Sequence, residues 1–364
     1  MMLARPFSLP LWTIGVPVAA CAVLGAVWGR PLDGFVAIGV AAALIASVMA
    51  AVQHAEVVAH RVGEPFGALI LALAVTVIEV SLIVSLKLSG GTGQASLARD
   101  TVFATVMIVC NGIVGLCLLV GALRNHVAVF RVEGSSPALA VLIPLTTLSL
   151  VLPQFTTTTA GPTYSNSQFA FAGLMSLLLF GVYVFVQTIR HREHFLPPNA
   201  PGDPRAEHGE PPARSAAIVA FALLCAALVA VVGLAKALAP GIEAVVRTIG
   251  APSSFVGIII ALIVLLPETG AAFRAALHNR MQISLNLALG SALATIGLTI
   301  PAIGFVSIVF GMPMTLGLPP KEIVLLLLTF AVSTITLASG RATVLHGTVH
   351  LVVFAAFLFL SIVP

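Results

Sequence analysis

The sequence predicts an all-α membrane protein with about eleven transmembrane helices, and three observations carry that prediction. Only 8% of the 364 residues are charged and 59% are apolar, which leaves too little charge to cover a water-facing surface. Apolar runs of about 18 residues or more recur along the chain, each long enough for a helix to cross the hydrocarbon core of a bilayer. The runs are continuous rather than alternating, which argues against a closed β-barrel. The net charge of +4 is thinly spread and gives no nucleic-acid footprint.

Taken in order, the first span, 10–28, follows Arg5 and has the outline of a signal peptide. It is read as a retained helix because the run is long and has no clear small-residue cleavage site. Spans 34–52 and 66–88 follow, the second carrying Glu79 within LALAVTVIEVSLIVSL. Span 100–122 contains Asn111, Gly112 and Gly115, and spans 136–153 and 167–189 complete the first half. Residues 190–215 are rich in proline and charge, with Arg190, Arg192, Arg205 and Arg214 balanced by Glu193, Asp203, Glu207 and Glu210. That composition predicts a solvated linker. A second reading is a regulatory metal or proton sensor using His191, His194 and His208. The second half has spans 216–238, 253–275, 284–310, 322–339 and 343–362. In the last, His346 and His350 share a face at i, i+4; no third ligand is evident, so packing or proton access is the expectation rather than a metal site. Cys21, Cys110, Cys117 and Cys225 all lie in apolar runs without a CxxC pair and read as small buried hydrophobes. The predicted organisation is an N-terminal extra helix at 1–30, a five-helix repeat at 31–189, the linker at 190–215, and a second, inverted five-helix repeat at 216–364.

Basic residues set a direction. With these spans, eleven of the 17 Lys and Arg residues fall on the N-terminal side and six on the other. The positive-inside rule then puts the N-terminus and the 190–215 loop in the cytoplasm and the C-terminus outside.

Two stretches repeat. Glu56, Gly63 and Pro65 form E-x6-G-x-P, and so do Glu243, Gly250 and Pro252. Each motif leads through apolar sequence to a lone glutamate, Glu79 or Glu268, 14 residues after Pro65 and 16 after Pro252. An odd number of spans, five, separates the copies, so the motif meets the membrane from opposite sides in the two halves. That is the inverted repeat of many secondary transporters, whose sites lie near the membrane midplane. Glu56 and Glu243, near predicted helix entrances, serve either cation recruitment or the structure of the helix ends.

A carboxylate at mid-membrane costs at least about 2.5–3.5 kcal/mol when ionised, so two at matched positions imply a use. Two such groups can hold protons or a cation, and each load expels the other. Mutual exclusion of that kind is the minimum machinery for cation:proton exchange. A hard ion such as Ca²⁺ takes about 6–8 oxygen ligands, more than two carboxylates supply. Pro267 lacks an N–H and so deprives the Ile263 carbonyl of its helical partner; irregular backbone beside Glu268 is expected to offer oxygens. Thr76 and Thr269 are further supporting candidates, with Asn111, Asn286 and Ser291 from the helices that follow each acidic one. At 100° per residue Ser284, Ser291 and Thr295 share a face and Asn286 does not, while Gly290 is expected to admit a close helix approach.

The stretches HAEVVAHRVGEPFGALILALAVTVIEVSL, ARDTVFATVMIV, LPETGAAFRAALHNRMQISLNLALGSALATIGLTIP and STITLASGRATVLHGTVHL resemble the cation/Ca²⁺ antiporter superfamily. The likeness is to its Ca²⁺:H⁺ exchanger branch, and within it to the bacterial ChaA-type sodium/calcium:proton antiporters. It runs from about residue 50 to the C-terminus. The resemblance implies that Glu79 and Glu268 are the acidic ion ligands, that Ser291 is the serine of the second repeat, and that Asn111 is the asparagine of the first. It also implies a departure. The branch carries GNxxE, but Val75-Thr76 and Val264-Leu265 stand at the Gly-Asn positions, so two amide ligands are missing. A site with fewer oxygens admits Na⁺ or K⁺ beside Ca²⁺.

The expected function is export of Ca²⁺, with Na⁺ or K⁺ as further cargo, against inward proton flow across a bacterial inner membrane. Partners are the bilayer, inorganic cations and protons, with no cofactor and no nucleic acid. A primarily monovalent Na⁺(K⁺)/H⁺ antiporter is the alternative within the class. An ion channel would need a filter or ring motif, which the sequence does not show. An intramembrane enzyme would need a motif such as HExxH or GxSxG, and neither is present.

Overall fold

The structure, a computed structural model, describes residues 10–30, 32, 34–63, 66–88, 95–196, 212–248, 250–252, 254–310 and 314–363. Among these residues the chain forms eleven helices: α1 (Leu11–Val27), α2 (Gly34–Val62), α3 (Phe66–Leu88), α4 (Leu97–Asn125), α5 (Val132–Gln154), α6 (Asn166–Arg190), α7 (Arg214–Thr248), α8 (Phe255–Leu277), α9 (Met281–Phe310), α10 (Pro320–Ala338) and α11 (Val344–Ile362). Ten are long and apolar enough to cross a membrane. At 17 residues, α1 sits at the lower edge of the spanning range. Large apolar side chains such as Phe35, Phe310 and Ile335 lie exposed on the helices, as lipid-facing surface requires. Beyond the helices, two short strands pair antiparallel: β1 (Ala128–Val129) and β2 (Arg341–Ala342), with Ala128 opposite Ala342.

Two helices outrun their expected spans. The apolar stretches 34–52 and 216–238 predict only the membrane portion, whereas α2 and α7 continue to Val62 and Thr248. The extensions, such as QHAEVVAHRV, mix polar residues with good helix formers, so hydropathy ends before the helix does. Each helix is then followed by a glycine in the left-handed region, Gly63 at φ 79° and Gly250 at φ 70°. The Gly63 N–H donates to the Ala59 carbonyl at 2.9 Å, and the Ala251 N–H to that of Val246 at 3.1 Å. The E-x6-G motif is therefore a helix exit, with glycine closing the last turn, in both halves. Pro65, the final residue of the first copy, lies outside the described residues.

The chain divides into two compact units. One holds α1, α2, α3 and α7 as far as Ile242. In it His54 Nε2 bonds the Thr13 carbonyl at 2.8 Å, Cys21 Sγ donates to the Ala226 carbonyl at 3.5 Å, and α2 meets α3 where Gly67 lies against Ala59. The other unit holds α4, α5, α6 and α8 to α11. Close crossings in it are made at glycines. Gly257 of α8 lies against the Asp100–Thr101 backbone of α4, and Gly347 of α11 against Leu119 of α4. Small residues of this kind let membrane helices approach closely. Four helices contain a π-helical stretch, among them Ile108–Ile113 in α4 and Thr295–Thr299 in α9, each in the third helix of its half.

Candidate functional site

Glu79 and Glu268 occupy the same register. Helices α3 and α8 are both 23 residues long, and each glutamate is the fourteenth residue of its helix, counted from Phe66 and Phe255. The two-residue difference in spacing from Pro65 and Pro252 thus falls before the helices begin. Glu79 is fully buried; Glu268 is partly buried, flanked by buried Val264, Leu265, Pro267 and Ala272. Thr76 lies one turn before Glu79, and its hydroxyl donates to the Ala72 carbonyl at 2.8 Å. The Thr269 hydroxyl donates to the Leu265 carbonyl at 2.6 Å. Each hydroxyl oxygen keeps lone-pair capacity after donating.

The backbone irregularity expected at Pro267 is elsewhere. Helix α8 runs unbroken through the proline. Surrounding packing carries the helix across the missing N–H, and the local widening instead lies in the π-helical stretches of α4 and α9. Asn111 lies inside the first and Thr295 opens the second. Ser291 and Thr295 stand one turn apart on α9, and both hydroxyls are buried without a hydrogen-bond partner among the described residues. Buried polar atoms of that kind call for an ion or a water. Gly290, expected to admit a neighbouring helix, has nothing within 4 Å of the Cβ an alanine would add. Among the described residues it packs against no helix backbone, which corrects that expectation.

Asn286 has a different task from the one its sequence position suggested. Its Nδ2 donates to the Phe195 carbonyl at 2.7 Å, and its Oδ1 accepts from Gln282 Nε2 at 2.9 Å. Gln282 is fully buried and also accepts the Arg131 backbone N–H at 2.7 Å. Together they strap the 192–195 turn and the start of α5 to α9, and both ends of the Asn286 amide take part. Glu56 is exposed near the end of α2, where Gln53 donates to it at 2.9 Å, and Glu243 lies near the end of α7.

The described part of the linker brings His191, Glu193 and His194 together, with Glu193 Oε1 at 3.8 and 3.9 Å from the two rings. The rings stack at 5.1 Å with planes 9° apart. Imidazole lone pairs lie in the ring plane, so stacked rings aim them side by side instead of at one ion. His208 lies outside the described residues. In α11, His346 caps its own helix by meeting Thr343, whereas His350 is fully buried beside Asn111. Reading the HGTVH spacing as one pair missed that division, because periodicity does not show which helix a face meets. A buried ion pair, Arg99–Asp100 at 2.7 Å, marks the start of α4.

An all-helical membrane bundle with glutamates at one register of two matching helices defines a class, a polytopic transporter built on two copies of one motif. The family model described as sodium/calcium exchanger protein matches twice, over residues 34–189 and 219–363. The chain belongs to this family, a family of multi-pass membrane transporters of cations, not of enzymes. It is 45% identical over 363 residues to the ionic transporter y4hA of Sinorhizobium fredii, covering 99% of this chain and 98% of that protein. It is 35% identical over 348 residues to the sodium-potassium/proton antiporter ChaA of Escherichia coli, covering 94% of this chain and 93% of that one. The solved structure of native YfkE shares the fold with a TM-score of 0.71 at 18% identity, over 97% of this chain and 99% of that one.

Proposed function

We propose that the protein is a secondary active antiporter that exports Ca²⁺, with Na⁺ or K⁺ as further cargo, in exchange for protons. The observation that carries this reading is the shared register of Glu79 and Glu268 in two helices of equal length. Each carboxylate carries either a proton or a share of a cation. Cation binding favours the ionised form and protonation removes the ligand, so the two loads exclude one another. Carrying two bare carboxylates through the hydrophobic barrier is unfavourable, which couples the two fluxes. Asn111, Ser291, Thr295, Thr76 and Thr269 supply further oxygens. The repeats at 31–189 and 216–364 run in opposite directions through a bacterial inner membrane, with the N-terminus and the 190–215 linker cytoplasmic and the C-terminus outside.

The monovalent reading has its own support. The Escherichia coli relative is named for sodium, potassium and protons, and Val75-Thr76 and Val264-Leu265 supply no side-chain amide before the glutamates. In that reading Na⁺ and K⁺ are the main cargo and Ca²⁺ is secondary. Everted membrane vesicles holding an imposed pH gradient test both readings. Ca²⁺, Na⁺ and K⁺ are added singly and dissipation of the gradient is followed. Glu79→Gln and Glu268→Gln should each abolish dissipation by every cation. Normal exchange in either variant sinks the two-carboxylate mechanism, and the ranking of the three cations separates the readings.

A further inference from the structure

His350 is a fully buried histidine in a membrane helix, and both of its ring nitrogens are engaged. Nδ1 lies 3.3 Å from Asn111 Oδ1 and Nε2 lies 3.1 Å from Thr336 Oγ1. On the far side of the carboxamide, Asn111 Nδ2 donates to Thr329 Oγ1 at 2.8 Å, and the Thr329 hydroxyl donates to the Leu325 carbonyl at 2.8 Å. Asn111 and Thr329 are fully buried and Thr336 is 2% exposed.

Donor and acceptor roles follow from chemistry. A carboxamide oxygen only accepts, as does the Cys110 backbone carbonyl that also bonds this ring, so the hydrogen is assigned to Nδ1 of His350. A neutral imidazole then presents Nε2 as acceptor to the Thr336 hydroxyl. The Thr329 hydrogen goes to a backbone carbonyl, which leaves that oxygen to receive the Asn111 amide. Every member of the chain from Thr336 through His350 and Asn111 to Thr329 is satisfied in one direction, and such a network fixes orientation. The glycines at the α4–α11 crossing make it reachable. Gly115 lies directly under His350, where a Cβ would come within 2.8 Å of the histidine Cβ. The π-helical stretch at 108–113 carries Asn111 past this point.

We propose that His350 is a positioning residue that holds the Asn111 carboxamide oxygen in place and thereby sets which cations the transporter accepts. This rests on the reading of Asn111 as a cation ligand. The amide oxygen has two acceptor positions. His350 occupies one, leaving a single, fixed position for an ion and reducing the charge that oxygen offers. Without His350 only the Asn111 Nδ2–Thr329 bond orients the carboxamide, and its oxygen is no longer held from the other side. Ions that differ in charge and size respond unequally to that loss, so the ratio of their half-saturation constants shifts. General damage to the fold lowers transport of all cations alike and leaves the ratio unmoved.

The test uses the full-length protein in everted vesicles with Ca²⁺, Na⁺ and K⁺ added singly. His350→Leu should change the ratio of half-saturation constants between cations by about tenfold, the effect of one hydrogen bond. The maximal rates should change less. His350→Asn, whose N–H branches near the place of Nδ1, should move the ratio back toward wild type. Thr336→Val keeps shape and removes the Nε2 partner, so it should shift the ratio in the same direction as His350→Leu and carries the test if that variant does not reach the membrane. The proposal falls if these variants leave the ratio within twofold while Asn111→Ala moves it, or if His350→Asn behaves as His350→Leu does. An unmoved ratio in Asn111→Ala overturns instead the reading of Asn111 as a ligand, and His350 with it, while the Glu79 and Glu268 variants judge the antiport mechanism separately.

Discussion

Gly347 of α11 lies so close to Leu119 of α4 that a Cβ at 347 would stand 2.5 Å from the Leu119 backbone nitrogen and 2.8 Å from its Cα. Backbone atoms in a helix cannot swing aside, so Gly347→Ala forces the two helices apart. Overpacking of this kind costs about 1–3 kcal/mol, more than the gain of up to about 1 kcal/mol from replacing a mid-helix glycine by alanine. Gly290→Ala meets nothing within 4 Å and keeps only that gain. Thermal unfolding of the detergent-purified protein should show Gly347→Ala below wild type and Gly290→Ala at or above it. Equal melting temperatures for the two variants would contradict the crossing.

The glycines that close α2 and α7 make a second prediction. Gly63 and Gly250 have open space around them, but both sit at positive φ, which a Cβ disfavours by about 1–2 kcal/mol. Gly63→Ala and Gly250→Ala should each lower the melting temperature. Asparagine, which tolerates this conformation better, should cost less than alanine at either place. A larger loss with asparagine than with alanine would show that the left-handed backbone is not the cause.

That pair also shows how much the sequence could and could not reveal. The glycines, the apolar runs and the two isolated glutamates are local signals, and they suffice for the helices and their number; the equal register of Glu79 and Glu268 appears only once the helix starts at Phe66 and Phe255 are seen. The ends of α2 and α7 were not legible, because hydropathy reports the membrane and not the helix. Asn286 reads as a candidate ligand because it is an amide in an apolar run; its contact with Phe195, 91 residues away, is a bracing role that no local pattern announces. His350 and Asn111 are 239 residues apart in sequence, and no spacing rule connects them. The π-helical stretch at Ile108–Ile113 lies in apolar sequence with no proline nearby, so it too is not announced locally; that at Thr295–Thr299 precedes Pro301, which leaves the Gly297 carbonyl without its helical donor.

Gln282 meets three residues at one buried point and is the natural place to test the strap. Its carboxamide accepts from the Arg131 backbone, donates to Asn286, and lies 3.5 Å from Ser135 Oγ. Gln282→Leu keeps the volume and strands the Arg131 N–H, a loss of about 1–3 kcal/mol for a buried unsatisfied group. Amide hydrogen exchange should quicken at residues 131–135 and 192–195, while exchange in α11 stays as it was. Unchanged protection at 192–195 would mean that the Asn286–Phe195 bond holds this turn without Gln282.

The ion pair at the head of α4 gives the sharpest separation between pairing and packing. Asp100 is 4% exposed and Arg99 12%. Asp100 accepts from Arg99 Nε and from the Ser96 hydroxyl, each at 2.8 Å, and Arg99 also donates to the Gly317 carbonyl at 3.1 Å. Bringing both charges out of water is unfavourable, and their attraction offsets that loss only while both are present. Removing one therefore harms more than removing both. Asp100→Leu leaves a guanidinium buried without its carboxylate and should destabilise by about 3–5 kcal/mol, and Arg99→Met should do the same through the stranded carboxylate. The double variant Arg99→Met/Asp100→Leu should recover most of the loss, since two apolar side chains of similar size suit the same space. Melting temperatures of the four proteins form a double-mutant cycle, and strict additivity would show that the two charges do not act as a pair.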